Sequence, residues 1–268
     1  MTRQRFIRGT VAAVAAAAAV GLLAAGCGST GDESGGGSGN GKAPGGTLTV
    51  FAAASLTEAF GTIGKQFEAA HEGTKVRFSF AGSDSLAQQI NSGAPADVFA
   101  SASPTTMKMV TDAHNADGTP KTFVRNRLEI AVPPSNPAKI SGITDLGKSK
   151  NKVVLCAPTV PCGAAAQKAL KASDVKVTPV SQEKDVKAAL TKVSLNEADA
   201  ALVYRTDVKA AKGKVKGIDF PESSKAVNEY PMVTVAKAPK PELAKQFESY
   251  VLSPAGQKVL AAAGFDKA

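Results

Sequence analysis

VFAAASLTEAF, residues 50–60, carries an apolar strand into an amphipathic helix across three alanines and a serine. Thr47 to Ala52 reads as a buried strand, and Leu56, Phe60, Ile63 and Phe67 then recur at helical spacing through Ala70. Ser55 with Glu58 three residues on forms a capping-box sequence at the helix start. The same alternation continues outward. Lys75–Phe80 is predicted as a second strand, Leu86 and Ile90 mark a helix, and Val98–Ser101 is a third strand. Short strands separated by amphipathic helices imply parallel pairing through right-handed crossovers, hence an α/β sheet with helices on both faces.

A second series begins at Leu128–Val132, which Pro133-Pro134 closes. It runs through strands at Val153–Cys156, Val175–Val180 and Ala200–Tyr204, with helices at about Gly163–Ala172 and Lys184–Leu195 between them. After Asn228 come one more strand, Met232–Ala236, and two helices, the second with Ser253-Pro254 at its start and Gly264 at its stop. Two sheet units joined by two crossing segments, at Arg125–Leu128 and Val227–Pro231, are expected. Periodicity leaves open whether the tail returns to the first unit.

The 268 residues can bury a well-formed core. The first 26 are a targeting segment by layout: Arg3, Arg5 and Arg8 precede an apolar run, Thr10–Gly26, too short for an ordinary bilayer span. Its end, Leu22-Leu23-Ala24-Ala25-Gly26-Cys27, resembles a bacterial lipobox with Ala24 where Leu is more usual, which makes Cys27 the lipidation site; a plain signal peptide is the alternative. Residues 27–46 then read as a lipidated cysteine and a Gly/Ser-rich tether, since such a chain buries little apolar area. The tether's r.m.s. reach is about 24 Å.

The net charge is +9, and loss of the three leader arginines takes it to +6. The lysines are scattered, and the one local cluster, Lys209, Lys212, Lys214 and Lys216, has no aromatic residue among it, so nucleic acid is not an expected partner. Enzymatic signatures are also missing. His71 and His114 stand in polar turns with no metal-ligand spacing around them, and Gly82-Ser83 lacks the second glycine of a nucleophile elbow because Ser85 stands there. An interaction lipoprotein, or a hydrolase using Ser83, is the alternative of another class.

What recurs is the helix start. Ser55, Ser83–Ser85, Pro161-Cys162-Gly163 and Asp185-Val186 each open a helix after a strand or turn. Ordinary capping would explain any one of them at about 1 kcal/mol. Four converging beyond the carboxyl ends of strands in open α/β sheets instead suit an anion, because helix N-termini present unpaired N–H groups and a positive dipole end.

FAAASL (51–56), FAGSDSLAQQI (80–90), GAPADVFASA (93–102), VPCG (160–163), DVKAAL (185–190), NEADAALVY (196–204) and EYPMVTV (229–235) together resemble the ordered motifs of the molybdate-binding proteins of ABC importers, the ModA family. The resemblance spans about Thr47–Phe265. It implies the type II, two-lobed periplasmic-binding-protein fold, each lobe a mostly parallel sheet flanked by helices. Residues 47–125 and 229–268 would form lobe 1 and residues 126–228 lobe 2, with the ligand in the cleft. It implies capture of molybdate, with tungstate, by a protein that is no enzyme, needs no cofactor and delivers its ligand to a membrane permease; a protein that must present both lobes to a transporter is most simply a monomer.

Carried over by position, the oxyanion ligands are the hydroxyl and N–H of Ser55 and of Ser83, the N–H of Cys162 and of Val186, and the Tyr204 hydroxyl, with no direct bond to the metal. Ser85 competes with Ser83, which ranks first by alignment to FAGS, and Tyr204 could equally be core. Where the family more often has alanine, Cys162 stands six residues after Cys156. With Cys27 set aside for lipid in an exported chain, a Cys156–Cys162 disulfide is expected; two free buried thiols are the alternative. Sulfate or phosphate in the same fold remains the other reading of the ligand, with Asp84 or Asp185 available to accept a phosphate proton.

Overall fold

The computed structural model describes residues 45–268; the leader, Cys27 and the tether up to residue 44 lie outside the described residues. Lobe 1 begins with β1 (Gly46–Ala53), α1 (Thr57–Ala70), β2 (Thr74–Ala81), α2 (Ser83–Asn91), β3 (Val98–Ala100), α3 (Pro104–Asp112) and β4 (Ala116–Asn126). Lobe 2 follows as β5 (Leu128–Val132), β6 (Val153–Cys156), α4 (Pro161–Ala172), β7 (Ser181–Glu183), α5 (Val186–Ser194), β8 (Ala200–Tyr204), α6 (Arg205–Ala210) and β9 (Lys216–Ile218). The chain then returns to lobe 1 through β10 (Asn228–Val235), α7 (Pro241–Leu252), α8 (Pro254–Ala263) and β11 (Asp266–Lys267).

The lobe 1 sheet has the order β11-β4-β10-β3-β1-β2 and the lobe 2 sheet β7-β6-β8-β5-β9. Both are mixed rather than mostly parallel. β1 pairs in parallel with β2 and β3, and β6 with β7 and β8. The strands next to the crossings, β4, β10 and β5, pair antiparallel with their neighbours. The reason is topological: helical crossovers make parallel pairs, whereas a chain that leaves one sheet and comes back through another segment runs the opposite way.

One strand escapes the sequence reading and one sequence expectation fails. β4, ADGTPKTFVRN, is polar and carries Gly118 and Pro120, so it shows no strand pattern; long-range pairing with β10, interrupted by register shifts near Pro231, holds it in the sheet. Val175–Val180 is not a strand. Val175 and Val177 pack against the lobe 2 core from a loop, Val180 is 58% exposed, and the strand is displaced to Ser181–Glu183.

Helix periodicity otherwise does the work expected of it. Phe60, Ile63 and Phe67 of α1 are fully buried, and their rings meet Phe247 of α7 at centroid distances of 5.9 Å (Phe60) and 5.3 Å (Phe67). Each such burial contributes about 1.5–3 kcal/mol. Along β1, Leu48, Val50 and Ala52 face this cluster while Phe51 faces the other one, with Leu86 and Phe99, so both sides of the sheet are covered. Ser253 caps α8 by accepting from Gly256 N at 3.4 Å, and Gly264 ends it in the left-handed region, φ 102°.

The lobes are joined at Arg127, between β4 and β5, and by the segment entering β10. Arg127 and Arg205 both pair with Asp266 (3.2 and 2.8 Å), and Arg205 also donates to Gly264 O, which ties the C-terminal strand to the crossing.

Candidate functional site

The stretch that opens lobe 1 resolves differently from ordinary capping. Ala54–Leu56 forms a 3-10 turn and α1 starts at Thr57; neither helix has a side-chain cap. Ser55 Oγ lies 2.9 Å from Tyr230 Oη instead, and the Glu58 carboxylate, expected to reach back to the backbone, takes Lys187 Nζ at 2.8 Å through both oxygens. At α2 the N-cap is Gly82, again without a side-chain cap, and Ser83 Oγ accepts from Ala102 N at 3.0 Å. The two serines that a capping argument would consume are thus left for another purpose.

Ser55, Ser83, Cys162, Val186 and Tyr204 line one cavity of about 20 Å³, together with Ala53, Ala54, Ala81, Gly82, Ala102 and Asp185 among others. That is room for one small ion, far below the space drug-sized ligands occupy. The lining explains the alanines of the opening stretch: β1 and β2 of lobe 1 end on methyl groups, so backbone N–H groups on the adjoining turns are approachable. Ala54 itself packs into the lobe 2 core, which brings the turn against α5. Among the described residues, no lysine, arginine or histidine lines the cavity.

Lobe 2 contributes from three places. α4 starts at Pro161, with Cys162 in its first turn bonded to Cys156 at the end of β6 (Cα–Cα 5.8 Å). Gly163 is required there, since a Cβ would fall 1.9 Å from Ala157 O. α5 starts at Val186 and is capped by Asp185, whose Oδ1 accepts from Ala188 N at 2.9 Å. First-turn N–H groups of such helices have no intrahelical acceptor. Tyr204 ends β8, fully buried, and its hydroxyl makes no hydrogen bond of good geometry. Burial pushes the phenol pKa well up, with Tyr230, Asp207 and Asn228 close enough to bear on it.

The cavity hydroxyls keep donor capacity of their own. Asn126 Oδ1 accepts from Arg127 N (3.0 Å), which fixes the amide, and Nδ2 donates to Thr206 Oγ1 (2.9 Å) and to Tyr230 Oη (3.4 Å). With Asn126 donating into Tyr230 Oη, the Tyr230 proton is available for Ser55 Oγ, an arrangement that frees the Ser55 O–H to donate. Ser83 Oγ, filled by Ala102 N–H, is in the same position. Burial raises the Tyr230 pKa above its ordinary value, so it stays a neutral donor.

Behind these groups lies an ion triad. Lys187 Nζ pairs with Glu58 across the cleft and with Asp207 Oδ1 (3.1 Å), and Asp207 Oδ2 accepts from Tyr204 N at 3.2 Å. Burial pushes Asp207 up to about 6 against the pull of Lys187. Burial alone would lower Lys187, but Asp207 and Glu58 reverse this and hold its ammonium above the usual value.

Sequence reasoning placed the five lining groups but missed Tyr230, Asn126, Lys187 and Asp207. Asn126, a lone amide between the apolar residues Val124 and Leu128, was the one available signal, since such a residue needs buried partners. His71, by contrast, is simply accommodated: its ring stacks on Phe67 and Nδ1 lies 2.9 Å from Phe67 O.

Residues 48–266 match the family model of the bacterial extracellular solute-binding proteins. The chain is 42% identical over 221 residues to the molybdate-binding protein ModA of Mycobacterium tuberculosis, covering 82% of this chain and 85% of that one. It is 36% identical over 237 residues to ModA of Escherichia coli, covering 85% and 91%. In fold it is similar to the periplasmic molybdate-binding protein of Azotobacter vinelandii (TM-score 0.67, 20% identity, 81% and 98% covered). It is also similar to the sulfate-binding protein SubI of M. tuberculosis (TM-score 0.74, 18% identity, 82% and 86% covered). With its two mixed sheets, its cleft between lobes and these relatives, the chain belongs to the ModA family of bacterial extracellular solute-binding proteins, which act outside the cytoplasm.

Proposed function

We propose that this protein captures molybdate, and tungstate with it, in the interlobe cavity and hands it to a membrane ABC permease. Cys27 carries the lipid that anchors it to the outer face of the cell membrane, and it works as a monomer. The observation that carries the ligand class is the convergence of three hydroxyls, of Ser55, Ser83 and Tyr204, on a lining with no cationic side chain among the described residues; the Tyr204 hydroxyl has no hydrogen-bond partner there, and those of Ser55 and Ser83 have protons available to give. A dianion satisfies them all, and each charge-assisted bond contributes roughly 1.5–3 kcal/mol. Donors on Ser55 and Ser83 belong to lobe 1 and those on Cys162, Val186 and Tyr204 to lobe 2, so the bound ion favours the closed arrangement by touching both. Neutral donors leave selection among tetrahedral dianions to cavity size, and molybdate and tungstate exceed sulfate.

Titration calorimetry with molybdate, tungstate, sulfate and phosphate tests this. Tight molybdate and tungstate binding, lost in Ser55→Ala and Ser83→Ala, is expected. Sulfate heat with no molybdate heat would assign the site to the second reading, a sulfate protein, which the fold similarity to SubI keeps in view.

A further inference from the structure

We propose that Glu58 and Lys187 form a clasp that holds the two lobes closed over the anion independently of the anion's own contacts. The inference rests on the oxyanion-capture reading for its ligand, but its geometry stands apart from it. Lys187 follows Val186, whose N–H opens α5; Glu58 lies in the first turn of α1, three residues after Ser55; Asp207 lies three residues after Tyr204. Each member of the triad therefore sits one step behind a cavity-lining group.

The members differ in which lobe they belong to. Asp207 and Lys187 are both in lobe 2 and their 3.1 Å contact persists whether the cleft is open or shut. Glu58 is in lobe 1, so its two 2.8 Å bonds exist only when the lobes meet. The Lys187 side chain is 25% exposed and the Asp207 side chain 0%, whereas that of Glu58 is 52% exposed. Asp207 thus stores the ammonium in one orientation, and little side-chain entropy remains to be lost when Glu58 arrives. A preorganised, half-buried, two-oxygen contact is stronger than a mobile surface pair. Glu58 is not among the residues that line the cavity. It is a positioning residue acting through Lys187 on α5.

A contact present only in the closed state slows its opening, so the clasp acts on the dissociation rate. The decisive comparison is wild type, Glu58→Gln, Lys187→Met and the double variant, with molybdate affinity and dissociation rate measured at low and at about 0.5 M salt, where exposed pairs are largely screened. Glu58→Gln, at a half-exposed position, is expected to fold normally, to release molybdate roughly three- to tenfold faster, and to lose the salt sensitivity of release that wild type shows. In the double variant the Glu58→Gln effect should vanish, because its partner is already gone. Small-angle scattering of the anion-free proteins supplies an independent readout, with a larger radius of gyration in Glu58→Gln than in wild type. Equal release rates together with equal radii overturn the clasp. If wild type gives no molybdate heat, the ligand assignment fails by itself, and the scattering comparison decides the clasp.

Discussion

Gly82→Ala separates closure from folding. Gly82 ends the turn after β2 with φ −58° and ψ 135°, a conformation alanine adopts freely, so the substitution is unstrained within lobe 1. The obstacle is across the cleft. A Cβ at this position lies 2.6 Å from Lys184 O and 3.4 Å from Val160 Cγ1, both in lobe 2, where ordinary contact begins at 3.4 Å. Asp84 Oδ1, at 2.7 Å, is the end of a side chain and can turn away. Closing over the methyl group requires the Lys184 carbonyl to recede by about 0.8 Å. Overpacking of this kind costs about 1–3 kcal/mol. The penalty falls on the closed state alone, so molybdate affinity should drop roughly 5- to 150-fold. Thermal unfolding without ligand should be unchanged or slightly later, since alanine narrows the unfolded ensemble. Calorimetry paired with melting curves with and without molybdate reads both. Wild-type affinity in Gly82→Ala, or a ligand-free stability loss as large as the binding loss, would refute the argument.

Tyr204→Phe removes a buried hydroxyl that has no good hydrogen bond in the protein, so ligand-free stability should hold or rise while molybdate affinity falls at least tenfold; a stability loss without a binding loss, by melting and calorimetry, would make Tyr204 core. Replacing Cys156 and Cys162 by alanine opens a loop closed over a separation of six residues, which costs about 2 kcal/mol in the chain-entropy account and loosens the start of α4; unchanged denaturation midpoints and affinity would contradict both effects. Asp207 has its carboxyl raised from 3.8 to about 6, so it contributes stability at low pH that is lost as pH rises through this window. Lys187, Glu58, Tyr204 and Tyr230 are the groups that face it. The wild-type minus Asp207→Asn difference in unfolding free energy should therefore fall between about pH 4 and 6, and a flat or rising difference in urea titrations would reject the assignment.

The sequence made legible those parts whose signals are local. Leu56, Phe60, Ile63 and Phe67 announce α1, and Ser253-Pro254 with Gly264 brackets α8, because caps and periodicity act within a few residues. β4 was silent, for its stability comes from pairing with β10 about a hundred residues away and owes little to its own polar side chains. The antiparallel pairings followed from how the chain crosses between lobes, which no window of sequence contains. In the site, the lining groups could be carried over from resemblance because they sit in recognisable motifs. Capping chemistry misread Ser55 and Glu58: each had a better partner, Tyr230 and Lys187, far along the chain, and a short-range rule cannot weigh a partner it does not see.

The shared amide of Asn126 has a consequence for how quickly the cleft can accept its guest. It stands at the last residue before the chain changes lobes, bonded to Thr206 on one side and Tyr230 on the other, where angular motion produces the least displacement. Swinging the lobes apart leaves the Asn126–Tyr230–Ser55 chain of hydrogen bonds together, since all three residues belong to lobe 1. An arriving ion meets a Ser55 hydroxyl already held by its neighbour, and this rotor does not have to be frozen at the moment of capture.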